Sequence, residues 1–149
     1  MYKVFIEIPK GDDRRRHKSW DGDGMIVDLG PIKNVIPVNN GIMPVHYGFI
    51  IGTINKEENP SEELDVLLLS NDETHVAEEI DIVPIALLRR EDIDHKIIAV
   101  KVGDETTWSD VPEKEKQLVM DYFGYKSPVR AIESAEKAIE LIESSLLKD

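Results

Sequence analysis

The sequence contains no cysteine and no long apolar run. Without cysteine, the chain has no disulfide, no thiolate nucleophile and no cysteine-ligated zinc site. No segment approaches the ~20 apolar residues of a membrane-spanning helix. The apolar run that follows Met1 is too short for a signal peptide. We therefore expect a cytoplasmic protein that does not act at a membrane.

Positive charge is also scarce in this chain. There are 18 Lys and Arg against 30 Asp and Glu, which gives a net charge of −12. Such an acidic chain has no general affinity for nucleic acid or for anionic membranes. The 41% apolar content argues against disorder. A length of 149 residues predicts one domain over residues 1–149, large enough to fold without a structural metal.

Several catalytic motifs are absent as well. The four histidines, His17, His46, His75 and His95, form no i, i+4 pair and no HExxH motif. The sequence also lacks GxSxG, a P-loop and GxGxxG. These absences argue against a zinc hydrolase, a serine hydrolase and a Walker-type nucleotidase.

The order of the predicted elements indicates the fold class. Short β-type runs at 3–8, 25–29, 47–51, 64–69, 80–88 and 95–102 are separated by polar, Pro or Gly residues. A helix is predicted over 109–123, and a second, amphipathic helix directly after Ser127 and Pro128. Strands first and helices afterwards favour an antiparallel sheet or small barrel flanked by helices.

Two acidic segments run directly into apolar strands. In the first, alternation places Glu63 and Asp65 on one side, where carboxylates could bind Mg²⁺ or Mn²⁺. In the second, Asp94 and Lys96 share a side, so that a ligand for metal could lie beside a cation for phosphate. A solvated turn and a charged hairpin are the simpler interpretations of the two segments. Two such junctions in one small sheet nevertheless favour a shared metal site, and a buried Asp65 would need a partner.

Basic residues are concentrated in two other places. Residues 14–18 form the run RRRHK, and Tyr125 with Lys126 follows the first predicted helix. Either place could bind phosphate. A solvated face for 14–18 and an ordinary helix end for Tyr125 and Lys126 remain alternatives.

Six segments stand out in order along the chain: VFIEIPKG (4–11), GMIVD (24–28), PVHYGFI (44–50), EELDV (62–66), DHKIIAV (94–100) and YFGYK (122–126). Taken together, they resemble the family I soluble inorganic pyrophosphatases. The resemblance implies mainly β structure with some α: a small closed barrel of the oligonucleotide-binding type flanked by two helices. It also implies that several Mg²⁺ ions, held by acidic residues, bind pyrophosphate and activate a water that attacks one phosphorus.

Family site residues carry over position by position. Glu7, Asp65 and Asp94 correspond to acidic residues of the family site, and Arg16 stands where the family has a phosphate-binding lysine. The further positions that carry over are Tyr47, Lys96, Tyr125 and Lys126.

The departures from the family pattern are equally specific. In the aligned acidic fingerprint, Pro60 replaces the first aspartate and Glu62 the second, which makes Glu62 the candidate base. Lys18 replaces a glutamate, Leu29 a phosphate-binding arginine and Met43 a tyrosine.

Two loops also differ from the family pattern. The loop before Asp65 is longer, so Glu57 or Glu58 could supply the lost ligand. The loop at Glu91 and Asp92 is shorter, which leaves both as candidates for one metal ligand. The chain further lacks a recognisable β segment before its last helix.

We therefore expect Mg²⁺-dependent hydrolysis of pyrophosphate, with Mn²⁺ as a possible substitute, by a homo-oligomer. The expected catalytic residues are Glu62 and Asp65, and the expected phosphate-binding residues are Arg16, Tyr47, Lys96, Tyr125 and Lys126. The expected metal ligands are Glu7, Glu62, Asp65, Glu91, Asp92 and Asp94. Because removing one charge-stabilising group typically costs ~10²–10³ in rate, two alternatives remain: a catalytically impaired phosphate- or nucleotide-binding subunit, and a hydrolase of another phosphoanhydride.

Overall fold

The computed structural model describes residues 2–18, 25–55, 57 and 62–147. These residues form eight strands, two α-helices and three short 3₁₀ turns. The strands are β1 (Tyr2–Ile8), β2 (Arg14–Lys18), β3 (Ile26–Pro31), β4 (His46–Ile50), β5 (Asp65–Leu68), β6 (Glu79–Arg90), β7 (Lys96–Lys101) and β8 (Val129–Ser134). The helices are α1 (Glu113–Phe123) and α2 (Ala135–Ser145).

Five of the strands close into a barrel. Their order is β1-β4-β5-β7-β6, and β6 pairs again with β1 to complete the ring. All pairings in this ring are antiparallel except that of β5 with β7. β8 extends the sheet beyond β6, while β2 and β3 form a separate hairpin. The expected small closed barrel with two helices is therefore confirmed.

The apolar core has two parts because side chains along a strand alternate between two faces. One cluster takes residues from every barrel strand, among them Ile6, Ile50, Val66 and Ile97, and therefore fills the barrel; Ile142 of α2 joins it. Intervening residues form a second cluster against α1, which contributes Val119, Tyr122 and Phe123 to it. None of the described helices has the length and apolar composition needed to cross a membrane.

The expectation that the last helix follows directly after Pro128 is wrong. Residues Val129–Ser134 form strand β8, which pairs with the end of β6, and helix α2 begins only at Ala135. The Ser134 side chain accepts the Lys137 N–H and caps this helix. Pairing with the free edge of β6 outweighs the local helical pattern of this segment.

Strand β2 was also not expected, because RRRHK contains no apolar residue. It forms by pairing with β3, and Arg14 reinforces the hairpin by donating two hydrogen bonds to Asp28 across the strands. The hairpin carries the basic run to the edge of the barrel.

Candidate active site

Strand direction brings both acidic segments to one edge of the barrel. β5 and β7 are parallel, and Asp65 at the start of β5 lies opposite Lys96 at the start of β7. Because β6 runs antiparallel to β7, its last residue, Arg90, reaches the same edge. Asp94 lies in the loop that joins β6 to β7. The two junctions recognised in the sequence are thus neighbours in the fold.

A cavity of about 720 Å³ opens at this edge. Five carboxylates and five permanent cations line it together, a mixture that suits a polyanion accompanied by metal ions. The acidic residues are Glu7, Glu62, Asp65, Asp92 and Asp94, and the basic ones are Arg15, Arg16, Arg90, Lys96 and Lys126. Tyr47 at the start of β4 contributes its side chain to the same wall.

Lys96 is the most enclosed charge in this cavity. Its side chain is 3% exposed, and its ammonium donates to Asp65 Oδ2 at 2.5 Å and to Asp94 Oδ2 at 3.0 Å. The Tyr47 hydroxyl donates to the same Asp65 oxygen at 2.8 Å. The ring of Tyr47 stacks on Phe123 with its centroid 5.9 Å away, so helix α1 holds this hydroxyl in place. Asp65, placed between apolar residues in the sequence, thus has the partners that its burial requires.

Burial dominates the titration of this cluster. It raises the pKa of Asp65 to about 7, although Lys96 acts in the opposite direction. Burial disfavours the charge on Lys96, but Asp65 and Asp94 outweigh this effect and raise its pKa. Burial also raises the pKa of Tyr47, which keeps its hydroxyl protonated as a donor. Burial is thus the largest influence on all three groups, and Asp65 and Asp94 share the single ammonium of Lys96.

Glu7 anchors the hairpin to the barrel at the other side of the cavity. This buried carboxylate accepts the Lys18 N–H at 2.8 Å, and His17 Nδ1 lies 3.5 Å from it. The hydrogen bond to Glu7 raises the pKa of His17. The ammonium of Lys18 instead lies over the ring of Phe5, 4.5 Å from its centroid.

The residues that depart from the family pattern lie in different places in the structure. Leu29 and Met43 both line the cavity, so they bring apolar surface where the resemblance implies polar groups. Arg16, the replacement for a lysine, is in the lining and pairs with Asp12 at 2.7 Å. Pro60 and Glu58 lie outside the described residues.

Two of the expected site residues are not part of the cavity wall. Glu91 pairs with Arg130 at 2.7 Å on the outside, and Tyr125 is 53% exposed. Of the two alternatives in the shortened loop, the structure places Asp92 in the cavity lining rather than Glu91. Glu63 and Glu57 also lie outside that lining.

Arg90 is a cavity residue that the sequence interpretation did not single out. Its guanidinium donates to Asp92 Oδ2 at 2.7 Å, and its backbone N–H donates to His95 Nδ1 at 3.0 Å. The other Asp92 oxygen accepts the Asp94 N–H, so Asp92 also shapes the loop. The signal that could have found Arg90 is its position two residues after Leu88, at the end of an apolar strand that enters an acidic loop.

The donor chemistry of the cavity fits a hard divalent cation. Among the residues that the structure describes, no three acidic or histidine side chains are already grouped as a metal site. The wall nevertheless supplies carboxylate oxygens from several elements, which are the ligands that Mg²⁺ and Mn²⁺ prefer. Burial, and after it the neighbouring charge of Asp94, raises the pKa of Asp65, and a bound cation would offset both effects.

Comparisons with known proteins agree with this geometry. A family model described as inorganic pyrophosphatase matches residues 4–147. The inorganic pyrophosphatase of Sulfolobus acidocaldarius is 29% identical over 133 residues, which span 83% of this chain and 72% of that protein. The protein of the same name from Haloferax volcanii is 30% identical over 136 residues, or 85% of this chain and 71% of that protein.

A solved structure gives the same result for the fold. The crystal structure of inorganic pyrophosphatase from Ehrlichia chaffeensis superposes with a TM-score of 0.83 at 22% identity, and the match covers 97% of this chain and 92% of that one. At this identity the match concerns the fold. The family match over nearly the whole chain goes further, and the chain belongs to the inorganic pyrophosphatase family.

Proposed function

We propose that this protein hydrolyses inorganic pyrophosphate to two phosphates in a reaction that depends on a divalent metal. The observation that carries the proposal is the convergence of five carboxylates and five cations on one cavity in a chain of this family. A pyrophosphate with its metal ions presents both signs of charge, and a wall of both signs complements it.

The carboxylates are proposed to hold the metal. Asp65 reaches the cavity from the start of β5, Asp92 and Asp94 from the loop that joins β6 to β7, and Glu7 and Glu62 from other parts of the wall. Magnesium bound there would lower the pKa of a water and reduce the negative charge of the phosphoryl oxygens. Lys96 already holds one oxygen of Asp65 and one of Asp94, so it fixes the orientation of both carboxylates.

The cations and Tyr47 are proposed to hold the two phosphoryl groups. Arg16 and Lys126 line the cavity from the hairpin and from the segment after α1, so they approach it from different elements. Lys96 is proposed to have both roles, because it contacts the carboxylate of Asp65 and also lines the space that the phosphoryl groups would occupy. Donors of this kind stabilise the charge that develops on phosphoryl oxygens during transfer.

Proton transfer is assigned to Glu62 and Asp65. Glu62 is a partly buried carboxylate of the cavity, and it is proposed as the base that takes a proton from the attacking water. In the metal-free protein Asp65 has a pKa of about 7, so its carboxyl can exchange a proton near neutral pH before a cation binds, and a bound cation would favour its charged form. Tyr47 keeps its proton and orients Asp65 through its hydroxyl.

Phosphate release from pyrophosphate tests the proposal directly. We expect release with MgCl₂ and none with EDTA, and we expect Asp65→Asn to lower the rate by ~10²–10³. Asp81→Asn is the matched control, because Asp81 lies on β6 outside the cavity, half exposed, and pairs with Lys3. No metal-dependent release by the wild-type protein, or equal rates for Asp65→Asn and wild type, would contradict the proposal.

The same measurements separate the alternatives. Binding of pyrophosphate in calorimetry without hydrolysis would identify a catalytically impaired binding subunit. Phosphate release from nucleotides or polyphosphate but not from pyrophosphate would identify another phosphoanhydride hydrolase. The apolar side chains of Leu29 and Met43 in the cavity wall are the features that favour these outcomes.

The remaining parts of the proposal concern the cation, the assembly and the location. We propose Mg²⁺ as the working ion, with Mn²⁺ able to replace it, and a single-domain chain that forms a homo-oligomer in the cytoplasm. Light scattering on the purified protein measures the assembly, and activity titrations with both ions measure their relative effect.

A further inference from the structure

Arg90 occupies an unusual position in the cavity wall. It is the last residue of β6, its side chain is only 10% exposed, and it lines the cavity. Two contacts hold it in place: its backbone N–H donates to His95 Nδ1, and one Nη2 hydrogen is donated to Asp92 Oδ2. The guanidinium is therefore placed by the fold rather than extended into solvent.

Among the described residues, only part of the hydrogen-bonding capacity of this guanidinium is used. Arginine carries five N–H donors in a planar fork. Within the described residues, Nε is fully buried and has no acceptor, and the contact to Asp92 uses one of the two Nη2 hydrogens. Buried donors are nearly always satisfied in native proteins. An arginine held here with donors in reserve therefore indicates an acceptor that arrives with a ligand.

The other enclosed cations of the cavity differ from Arg90. Lys96 is divided between two aspartates, and Arg16, which like Arg90 makes one ion pair, has a side chain 21% exposed against 10% for Arg90. Leu29 contributes an apolar side chain to the same wall. Arg90 thus combines burial, a fixed position and available donors, and a planar fork suits the tetrahedral oxygens of a phosphoryl group.

We propose that Arg90 binds a phosphoryl group of the pyrophosphate, as an additional phosphate-binding residue supplied by the end of β6. This inference rests on the proposed function, since it names a further contact to the same substrate. The competing explanation is that Arg90 serves only to position Asp92. The two explanations differ in what is weakened when Arg90 is replaced: phosphate binding in the first, metal binding in the second.

Calorimetric titration with imidodiphosphate, a non-hydrolysable pyrophosphate analogue, measures the first effect in the presence of MgCl₂. We expect Arg90→Met to weaken binding by ~10- to 100-fold, because charge-assisted contacts to phosphate are lost. Arg90→Lys keeps the positive charge but loses the planar fork of donors, so its affinity for imidodiphosphate should lie between those of the wild type and Arg90→Met. Arg130→Met is the matched control, since Arg130 is exposed, pairs with Glu91 and lies outside the cavity.

Kinetics complete the test on the same variants. We expect a higher KM for pyrophosphate in Arg90→Met, with the MgCl₂ concentration for half-maximal activity unchanged. Wild-type affinity for imidodiphosphate in Arg90→Met would overturn the inference, and so would a change confined to the MgCl₂ requirement. Should Arg90→Met fail to fold, the comparison is made with Arg90→Lys, for which wild-type affinity and wild-type KM would likewise overturn it.

Failure of the proposed function has a different signature. A wild-type protein that binds imidodiphosphate but releases no phosphate from pyrophosphate would overturn the proposed hydrolysis, and the calorimetric comparison would still decide whether Arg90 binds phosphate. Metal-dependent hydrolysis with equal analogue affinities for wild type and Arg90→Met would overturn the Arg90 inference alone.

Discussion

Replacing Lys96 with methionine removes one ammonium from between two carboxylates and changes the side-chain volume little. The side chain of Lys96 is 3% exposed, that of Asp65 17% and that of Asp94 37%. Solvent screens the contact to Asp94, so that contact contributes little. The contact to Asp65 is enclosed, and removing one partner of a buried pair costs about 3–5 kcal/mol. Taking the lower figure, the Tm of a chain of this length falls by roughly 6–12 °C.

The pH dependence of this loss has a definite sign. Because burial raises the pKa of Asp65 to about 7, its native carboxyl binds a proton more tightly than the unfolded chain does. Stability from this group is therefore present at low pH and is lost as pH rises towards 7. In Lys96→Met the carboxyl has no ammonium partner, so we expect the deficit to be larger at pH 8 than at pH 5, where Asp65 is neutral.

Thermal unfolding in EDTA at both pH values is the assay. Lys137→Met is the control, because Lys137 is an exposed residue paired with Glu140 and should change stability by less than about 0.5 kcal/mol. The double variant Lys96→Met with Asp65→Asn should recover part of the loss, since no uncompensated carboxylate remains at that position. Equal losses in Lys96→Met and Lys137→Met would refute the view that Lys96 supports a buried carboxylate.

Three further predictions follow from single positions. Glu62→Gln should lower pyrophosphate hydrolysis by ~10²–10³ while Glu63→Gln, outside the cavity, should leave it near wild type; equal effects on rate would contradict the role of Glu62 as base. Burial lowers the pKa of His46, so protonation of this histidine favours the unfolded chain as pH falls below about 6.5. His46→Gln should therefore reduce the decline of Tm between pH 6.5 and 5. A decline equal to that of the wild type would contradict this prediction. A Cβ on Gly48 would lie 1.9 Å from the Phe5 carbonyl oxygen. Gly48→Ala should therefore lower the free energy of unfolding by about 3 kcal/mol or more. Denaturant unfolding measures this loss, and an unchanged unfolding midpoint would contradict the prediction.

Sequence pattern was sufficient for most of the barrel. Each predicted strand is present within a few residues. The five barrel strands carry β-branched and apolar residues that are buried in the core, whereas Val27 and Leu29 of β3 are exposed. The pattern failed at β2 and β8. β2 is polar and β8 is half apolar, and both form by pairing with a neighbour, β3 in one case and the edge of β6 in the other. Such pairing depends on contacts distant in sequence, which local periodicity does not contain.

Some residues of the candidate site were likewise predictable from the sequence, and others were not. The order of its acidic segments and the family resemblance identified Asp65, Asp94 and Lys96 from the sequence. The choice of Asp92 over Glu91 for the cavity wall required coordinates, because the two residues are adjacent and the loop turns one inward and the other towards Arg130. Arg90 also required them, since an arginine at a strand end has no distinguishing local pattern.

The sequence by itself determined that this chain is an acidic, cysteine-free β protein with the ordered segments of the pyrophosphatase family. Its composition and its order of strands carry that information, because apolar burial and backbone pairing follow from residue type and spacing. Only the tertiary structure decided which charges meet. The parallel start of β5 and β7 places Asp65 against Lys96, and the end of β6 brings Arg90 into the same cavity. The strength of these interactions depends on distance and burial, and both are set by the closed barrel rather than by any one segment.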